Sequence, residues 1–368
     1  MSRPLASLTG LMAVWYQKSR MPTKSMAWFG KKASGAERTY RSLDFRQPGH
    51  PGPLALWKVN QRCNFRCEYC FSAGSNPYRE HPVCGQYSPQ RIAQGFDRTG
   101  RSWWISMTGG EPFLYPDFVR LCRELTRNHF LTIYTNLSTT NALRFAEAID
   151  PRRVYAVNAS LHIVERERKR RLDQFIAYVL HFQKKGFEIR VDYVVYPPLF
   201  TRLERDLEML AASGVACVRL QAFQGIYRSR LYPSGYNRQE REAFRRRSID
   251  DKELDLIEQT HSFFGQPCRA GQQFFYMNTG GDVKRCPIGA KSYGNFFEGR
   301  YALDEMPRPC PYPVCLCSWH GTELAGGPRL SLFRIFSEMV REGIPFVFNP
   351  ERLSRITRSL RYRYWGKS

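Results

Sequence analysis

Acidic side chains are scarce in this 368-residue sequence, which has 33 Asp and Glu residues against 56 Lys and Arg residues. The formal net charge of +23 excludes an acidic, self-solvating chain and indicates an anionic partner. Charge alone does not choose among nucleic acid, an acidic membrane surface and a phosphorylated substrate. Hydrophobic residues make up 42% of the chain, so a folded globular protein is expected.

Long hydrophobic runs are also lacking. The apolar-biased stretch 5–16 is too short and too interrupted to cross a bilayer, and no small-residue cleavage site follows it. We therefore expect neither a transmembrane helix nor a signal peptide. The basic residues near both ends of the chain are the expected contact for an anionic membrane surface or another polyanion.

The eleven cysteines lack the even spread of a disulfide framework. Eight of them fall into two clusters with metal-ligand spacing, whereas Cys84, Cys122 and Cys217 are expected to be buried small hydrophobic residues. Because metal-binding thiols must stay reduced, we expect a cytoplasmic protein, with peripheral attachment to a membrane left open.

The first cluster has a CxxxCxxC spacing and contains Cys63, Cys67 and Cys70, directly after a strand-like run at 53–60. Three thiolates suit an iron–sulfur cluster in which one iron is left open for chemistry. From spacing alone, a structural zinc site completed by Cys84 or by His81 is the alternative.

A second motif follows the next predicted strand, Trp103–Thr108, which runs into Gly109, Gly110, Glu111 and Pro112. Two glycines would let a ligand approach the backbone, and Glu111 offers a carboxylate to an ammonium group. Together the two motifs resemble those of the radical S-adenosylmethionine (SAM) superfamily, where CxxxCxΦC and GGEP follow the first two barrel strands. This resemblance argues against zinc.

The resemblance implies SAM and a [4Fe–4S] cluster as cofactors, and a one-electron donor such as flavodoxin or ferredoxin. The cofactors would generate a 5′-deoxyadenosyl radical that removes hydrogen from the substrate. The residues it implies for SAM binding are Tyr69, Gly109, Gly110, Glu111, Thr135, Asn136 and Ser160. One arginine after Ser160 would pair with the SAM carboxylate, and four arginines between residues 166 and 171 are available.

His162 follows the predicted fourth strand and has two interpretations. It could act as a general base, because imidazole titrates near neutral pH. It could equally be a histidine whose hydrogen bonds are satisfied within the barrel mouth.

From residue 53 the pattern alternates strand and helix through six units. We therefore predict an α/β fold with a partial (β/α)6 TIM-like barrel, as the resemblance also implies. In a barrel the carboxyl ends of all strands open on one face, so the polar residues at those ends should converge.

In the second cysteine cluster, Cys268 and Cys286 stand at the outer ends of a predicted β-hairpin. With Cys310, Cys315 and Cys317 they resemble the SPASM/twitch extension of radical SAM enzymes, although the full SPASM set of cysteines is lacking. We expect one auxiliary [4Fe–4S] cluster, with one of the last three cysteines spare. Zinc is the alternative.

These features divide the chain into five predicted segments. They are a basic extension (1–52), the radical SAM core (53–230), a linker (231–266), a SPASM/twitch-like iron–sulfur domain (267–328) and a basic amphipathic helical tail (329–368).

The resulting hypothesis is an oxidoreductase-type radical SAM enzyme. Its expected reaction is a net oxidation or a cross-link of a small molecule, which could be an anionic sugar, nucleotide or lipid-linked compound. One alternative is the maturation of a ribosomally made peptide. Another, from a non-catalytic class, is an iron–sulfur protein that binds nucleic acid or a membrane.

Overall fold

A computed structural model of the chain describes residues 53–70, 81–248, 257, 264–312 and 332–343. The predicted basic extension, Cys315, Cys317 and the end of the predicted tail lie outside these residues. Among the described residues, no helix is both long enough and apolar enough to cross a membrane.

Strands and helices alternate along the first part of the described chain, as predicted. Their bounds are β1 (Leu54–Lys58), α1 (Pro89–Asp97), β2 (Trp104–Thr108), α2 (Phe118–Leu125), β3 (Phe130–Thr135), α3 (Thr140–Ala148), β4 (Val154–Ser160), α4 (Ile163–Arg168), α5 (Leu172–Lys184), β5 (Ile189–Val195), α6 (Leu203–Ala212) and β6 (Val218–Ala222).

The remaining elements are shorter. They are β7 (Gly225–Tyr227), β8 (Arg230–Tyr232), α7 (Arg238–Arg247), β9 (Pro267–Cys268), β10 (Phe274–Met277), β11 (Asp282–Lys284), β12 (Ser292–Asn295), β13 (Arg300–Tyr301), β14 (Arg308–Pro309) and α8 (Leu332–Arg341).

Strands β1 to β6 are parallel and lie side by side in sequence order, which confirms the partial barrel. The described sheet does not close, since β6 is one of its edges. On the other side of β1, β10 pairs in parallel, and β11, β12 and β13 follow in antiparallel order. The predicted hairpin β10–β11 is therefore present, but it extends the barrel sheet.

The two faces of the parallel sheet differ because successive side chains of a strand point to opposite sides. A row of neighbours across the strands packs with the helices in one hydrophobic core: Trp57, Met107, Ile133, Val157 and Ile189. The opposite side, here called the inner face, carries polar residues in matching rows, including Ser106, Thr132, Asn158 and Asp192. Helices cover the first face, which leaves the inner face for ligands.

The charged segment after β4 is not one continuous helix. It forms two helices, α4 and α5, because Arg170 between them has a left-handed φ of 53°. The break places Lys169 and Arg171 beside the loop that follows β1.

The segment 231–266 was interpreted as a linker, yet part of it packs into the barrel. Tyr236 and Phe244 are buried in the hydrophobic core. The Tyr236 hydroxyl accepts from the Phe223 N–H (2.8 Å) and donates to the Val195 carbonyl (2.7 Å). These contacts fix the segment to the ends of β5 and β6. The hairpin β7–β8 just before it was not predicted.

Candidate functional site

The cysteine loop, residues 61–70, leaves the carboxyl end of β1 and carries Cys63, Cys67 and Cys70, all half-buried. Its start is held by the sheet, because the N–H of Val59 donates to the carbonyl of Thr108 at the end of β2 (2.8 Å). The three thiols thus lie at the edge of the barrel where polar side chains were expected to meet.

The Gly-Gly-Glu segment after β2 packs directly against the cysteine loop. The N–H of Gly110 donates to the Asn60 carbonyl (3.2 Å), and the N–H of Glu111 donates to the Arg62 carbonyl (2.8 Å). A Cβ at Gly109 would lie 2.5 Å from the Asn60 oxygen, and a Cβ at Gly110 would overlap the Arg62 carbonyl. The direction in which a side chain would point is thus filled by the backbone at the start of the cysteine loop. The approach of a ligand to these glycines stays a prediction.

The carboxylate of Glu111 is fully buried and accepts three hydrogen bonds from the protein. Oε1 accepts from the Phe113 N–H (3.0 Å) and the Thr135 hydroxyl (2.6 Å), and Oε2 accepts from the Asn136 N–H (2.6 Å). Burial raises the pKa of Glu111, and these three bonds act in the opposite direction. The side chain therefore ties the end of β2 to the end of β3. Each carboxylate oxygen can accept two hydrogen bonds, and Oε2 accepts one here, so it can still accept a bond from an ammonium group.

Two further polar residues predicted at strand ends, Thr135 and Ser160, differ in their exposure. Thr135 is 2% exposed, and besides donating to Glu111 its hydroxyl accepts from the Leu137 N–H (2.8 Å). Ser160 is half-buried at the end of β4, where the sheet register pairs it with Asp192 on the inner face. Ser160 can meet a ligand on that face, whereas the Thr135 hydroxyl is occupied by the brace around Glu111.

Asn136 connects that brace to the cysteine loop. Its Nδ2 donates to the Asn64 Oδ1 (2.9 Å) and lies 3.9 Å from the Cys63 Sγ. The Asn64 amide in turn donates to the Ser138 hydroxyl (2.8 Å). The Asn136 Oδ1 is buried and has no partner among the described residues. An unpaired buried acceptor costs about 1–3 kcal/mol, so this oxygen indicates a donor that a bound ligand would supply.

Tyr69 and His162 form a pair at the mouth of the barrel, with the tyrosine hydroxyl 3.1 Å from the histidine Nδ1. Burial raises the pKa of Tyr69 and lowers the pKa of His162 to about 4, so both are neutral at neutral pH. His162 also adopts a left-handed backbone conformation just before α4. An imidazole with so low a pKa is a weak base. This favours the interpretation that His162 is a histidine whose hydrogen bonds are satisfied within the barrel mouth.

Arg166 is the buried member of the four arginines that follow Ser160. Its guanidinium donates to the carbonyls of Leu161 (2.9 Å) and Asn136, and lies over the rings of Phe175 and Phe65, 4.1 and 5.0 Å from their centroids. Burial lowers its pKa to about 9. The Arg166 Nη1 is buried without a partner in the described part of the chain.

An open cleft of about 360 Å³ lies next to the cysteine loop and is lined by Asn64, Phe65, Lys169 and Arg171. Of the four arginines that the sequence left open for the SAM carboxylate, Arg171 lines this cleft. Arg168 is instead paired with Glu165 (2.8 Å). Lys169 and Arg171 are thus the cations that the break between α4 and α5 brings to the cysteine loop.

The thiols of the cysteine loop are poorly suited to carry charge on their own. Burial raises the pKa of Cys63 and of Cys67, and neighbouring thiols of the same loop raise it further. Three thiolates this close together need a compensating positive charge, which bound iron would provide.

The second cysteine site consists of Cys268, Cys286 and Cys310. Strand β9, which ends in Cys268, pairs with β14 directly before Cys310, and Cys286 follows β11. The pKa of Cys286 is raised to about 12, first by burial and further by the neighbouring thiols of Cys310 and Cys268. The structure thus brings together three of the five cysteines predicted for an auxiliary cluster, and the other two lie outside the described residues.

A sequence profile described as the radical SAM superfamily matches residues 57–220, the span from β1 to β6 that carries the cysteine loop. This span is a radical SAM domain. Among curated proteins, the chain is similar to GTP 3′,8-cyclases. It is 34% identical to that of Pectobacterium atrosepticum over 93 residues, which are 25% of this chain and 27% of the relative.

The chain is 30% identical to the GTP 3′,8-cyclase of Ectopseudomonas mendocina over 147 residues, which are 37% of this chain and 44% of that protein. The chain thus spans less than half the length of these relatives. Among solved structures, native anSMEcpe with bound AdoMet matches with a TM-score of 0.49 and 15% identity, over 67% of this chain and 79% of that one. Streptococcus suis SuiB bound to SAM matches with a TM-score of 0.45 and 16% identity, over 67% and 62%.

A radical SAM domain implies SAM and a [4Fe–4S] cluster as cofactors, and the residues present fit both. Cys63, Cys67 and Cys70 supply three soft thiolate ligands, and the unpaired buried Asn136 Oδ1 beside them awaits a donor. In the described ranges, no three His, Cys, Asp or Glu side chains converge as ligands of a single metal ion. A cluster does not require this, because each of its thiolates binds a separate iron.

Sequence reasoning missed several residues that shape this site: Asn64, Ser138, Asp192 and Arg219. Asn64 had a signal, because it lies inside the CxxxC motif. Asp192 and Arg219 also had one, since each alternates with apolar residues along a strand and so points to the inner face. Arg166 was one of the four candidate arginines, and only the structure singles it out as the buried one.

Proposed function

We propose that this radical SAM domain acts on a small, polar, anionic molecule, and that the net reaction is an oxidation or a cross-link. The proposal combines the radical SAM domain, the polar inner face of the barrel, the cations beside the cysteine loop and the second cysteine site. Each of these supports a different part of it.

The polar inner face is the observation that carries the substrate class. Asp192 is 1% exposed and accepts from Arg219 through Nε (2.8 Å) and Nη2 (2.9 Å), and from the Gln221 amide (3.2 Å). The Arg219 Nη2 also lies 3.5 Å from the Asn158 Oδ1. Groups fixed in this way present polar atoms to the inner face, which suits a polar substrate better than an apolar one, because an apolar substrate would displace water without replacing its hydrogen bonds.

The anionic character of the substrate is supported by charge. Lys169 and Arg171 line the cleft beside the cysteine loop, and the chain has a formal net charge of +23. The relatives' name describes an enzyme that acts on GTP, which is also a small anion. Since the matches cover only part of each protein, GTP is only one example of the small anionic substrates proposed.

When bound, SAM and its cluster would supply a 5′-deoxyadenosyl radical that removes a hydrogen atom from the substrate. The Glu111 brace would hold the cysteine loop against β2 and β3, and Asn136 would orient its amide towards the ligand. Arg166 would close the base of the site with its buried guanidinium. An external one-electron donor, such as flavodoxin or ferredoxin, is part of the proposal.

The second cysteine site supports the oxidative outcome. Cys268, Cys286 and Cys310, with one of the two later cysteines, would hold an auxiliary cluster able to accept one electron from the substrate radical. A site filled with zinc instead would favour a redox-neutral outcome such as cyclisation. Contact of the basic chain ends with an anionic membrane surface belongs to the same proposal as a secondary feature.

The decisive experiment compares the wild type with a Cys63→Ala/Cys67→Ala/Cys70→Ala variant after anaerobic reconstitution. We expect about eight irons in the wild type and about four in the variant, with 5′-deoxyadenosine formed from SAM and dithionite only by the wild type. Iron without 5′-deoxyadenosine would support the non-catalytic iron–sulfur alternative. Zinc in place of iron, with no 5′-deoxyadenosine, would overturn the enzyme proposal altogether.

The substrate class is tested separately by the rate of 5′-deoxyadenosine formation. Nucleoside triphosphates including GTP, sugar phosphates and lipid-linked phosphates should raise it above the rate without substrate. Neutral sugars of the same size serve as matched controls. Stimulation by peptides and by no phosphorylated compound would favour the maturation of a ribosomal peptide.

A further inference from the structure

A buried arginine stands beside the second cysteine site. Arg285 directly precedes Cys286 and is 1% exposed. Its Nη1 donates to the carbonyl of Pro309 (3.3 Å), the residue directly before Cys310. The side chain thus crosses from one cysteine segment to the other. It acts to lower the pKa of Cys286 and Cys310 against the effect of burial.

The same guanidinium is held from the other side by carboxylates at the end of α8. The Arg285 Nη1 donates to the Glu338 Oε1 (2.9 Å) and lies 4.0 Å from the Glu342 Oε1. Glu338 and Glu342 are 3% and 1% exposed. Four residues apart, they lie on one side of the helix end, and Ile335 on the same side is buried.

Further ion pairs fix these carboxylates. Arg308 donates to the Glu338 Oε2 (2.9 Å), and Arg341 lies 3.3 Å from the Glu338 Oε1. The Tyr312 hydroxyl donates to the Glu342 Oε2 (2.8 Å). Burying so many charges together is costly in free energy. Proteins in which such ion pairs are replaced by apolar residues are often no less stable. We therefore expect these ion pairs to do more than dock α8.

We propose that Arg285 sets the reduction potential of a cluster held by Cys268, Cys286 and Cys310, with Glu338 opposing its effect. This inference rests on the auxiliary cluster proposed above. A cluster that accepts one electron becomes more negative by one charge. A fixed cation nearby stabilises that reduced form, and a fixed carboxylate destabilises it. In the enzyme the electron would come from the substrate radical, which leaves as oxidised product after loss of a proton to solvent.

The experiment is a redox titration of the auxiliary cluster alone. The Cys63→Ala/Cys67→Ala/Cys70→Ala background removes the first cluster, dithionite supplies the electron, and electron paramagnetic resonance follows the reduced form. Arg285→Gln removes the cation, and Arg285→Lys retains it. Glu338→Gln removes the nearest carboxylate at nearly constant shape. Arg300→Gln is the matched control. Arg300 lies on β13, in the sheet that contains the strand before Arg285, but its side chain is 81% exposed.

We expect a lower midpoint potential for Arg285→Gln, a higher one for Glu338→Gln, and little change for Arg285→Lys and Arg300→Gln. If Arg285→Gln does not fold, Glu338→Gln alone carries the test. Unchanged potentials with iron retained would overturn the role of Arg285 and leave the proposed function standing. A background variant without iron would instead overturn the auxiliary cluster itself, and this inference with it.

Discussion

The two cysteine sites are held by different kinds of interaction. Around the cysteine loop the contacts are backbone hydrogen bonds and a brace centred on Glu111, whose partners are neutral. Around the second site the contacts are ion pairs among Arg285, Arg308, Glu338 and Arg341, of which Arg285 and Glu338 are buried and the other two half-buried. One site is positioned by the sheet, and the other by charges on a helix packed against it.

This difference bears on what each site has to do. Hydrogen bonds to strand ends have strict geometry, which suits a loop that must present SAM to a substrate at a defined distance. Charges act over a longer range and shift potentials, which suits a site that only accepts an electron. If so, damage to one site should leave the other intact.

The largest effect is expected for Glu338→Ala. It leaves Arg285 buried without its closest carboxylate, which should cost about 3–5 kcal/mol in the free energy of unfolding. Iron should be lost from the second site, while 5′-deoxyadenosine formation without substrate should continue. Anaerobic urea unfolding and iron analysis measure both.

The control for that change is Glu298→Ala. Glu298 pairs with Arg300 at the surface, and loss of such an exposed pair should cost under about 1 kcal/mol. Equal effects of the two substitutions would contradict the importance of the buried pairs.

A smaller effect on stability is expected for Gly110→Ala. The new Cβ would overlap the Arg62 carbonyl and push the cysteine loop away from β2, at a cost of about 1–3 kcal/mol. Iron should be lost from the first site only, and 5′-deoxyadenosine formation should fall below detection. Gly100→Ala is the control for strain elsewhere: its left-handed φ of 66° strains an alanine, but the added Cβ meets no atom within 4 Å, so iron should be unchanged. Full activity of Gly110→Ala would show that the loop can shift without consequence.

Glu111→Gln should cost about 2 kcal/mol, because an amide NH₂ would face an N–H or hydroxyl donor that the carboxylate now accepts from. Formation of 5′-deoxyadenosine should slow while the second site keeps its iron. Glu147→Gln, on the surface beside Lys185, is the matched control and should behave like the wild type. Thermal unfolding and product analysis provide the measurements, and a fully active, fully stable Glu111→Gln would refute the brace.

The smallest effect at neutral pH concerns His162, whose contribution to stability changes only in acid. Its folded pKa of about 4 lies below the ordinary value of 6.5, so the unfolded chain takes up this proton first as the pH falls. The stabilisation is therefore fully present above pH 6.5 and is lost as the pH falls towards 4, amounting to about 3 kcal/mol.

The difference in unfolding free energy between the wild type and His162→Asn should therefore shrink between pH 6.5 and 4. Asparagine tolerates the left-handed backbone at this position and does not titrate. A difference independent of pH would show that His162 is not buried as a neutral ring.

Much of the barrel could be predicted because its signals are local. The start of α1 has such a signal, because a serine followed by a proline is typical of a helix N-terminus, and the Ser88 hydroxyl accepts from the Arg91 N–H (3.3 Å). The break at Arg170 could not be predicted, because a left-handed arginine is stable only where its surroundings impose that conformation. That break decided which cations meet the cysteine loop.

The sequence by itself determined the chemistry of the first site. Cys63, Cys67 and Cys70 lie close together in the sequence, so their spacing alone places the three thiols on one loop. Only the tertiary structure decided that Glu111 is a brace, because its partners Thr135 and Asn136 lie on another strand. The same holds for Arg285 and Glu338, which are 53 residues apart in sequence. Contacts between distant segments depend on how sheet and helix pack, and no local pattern records them.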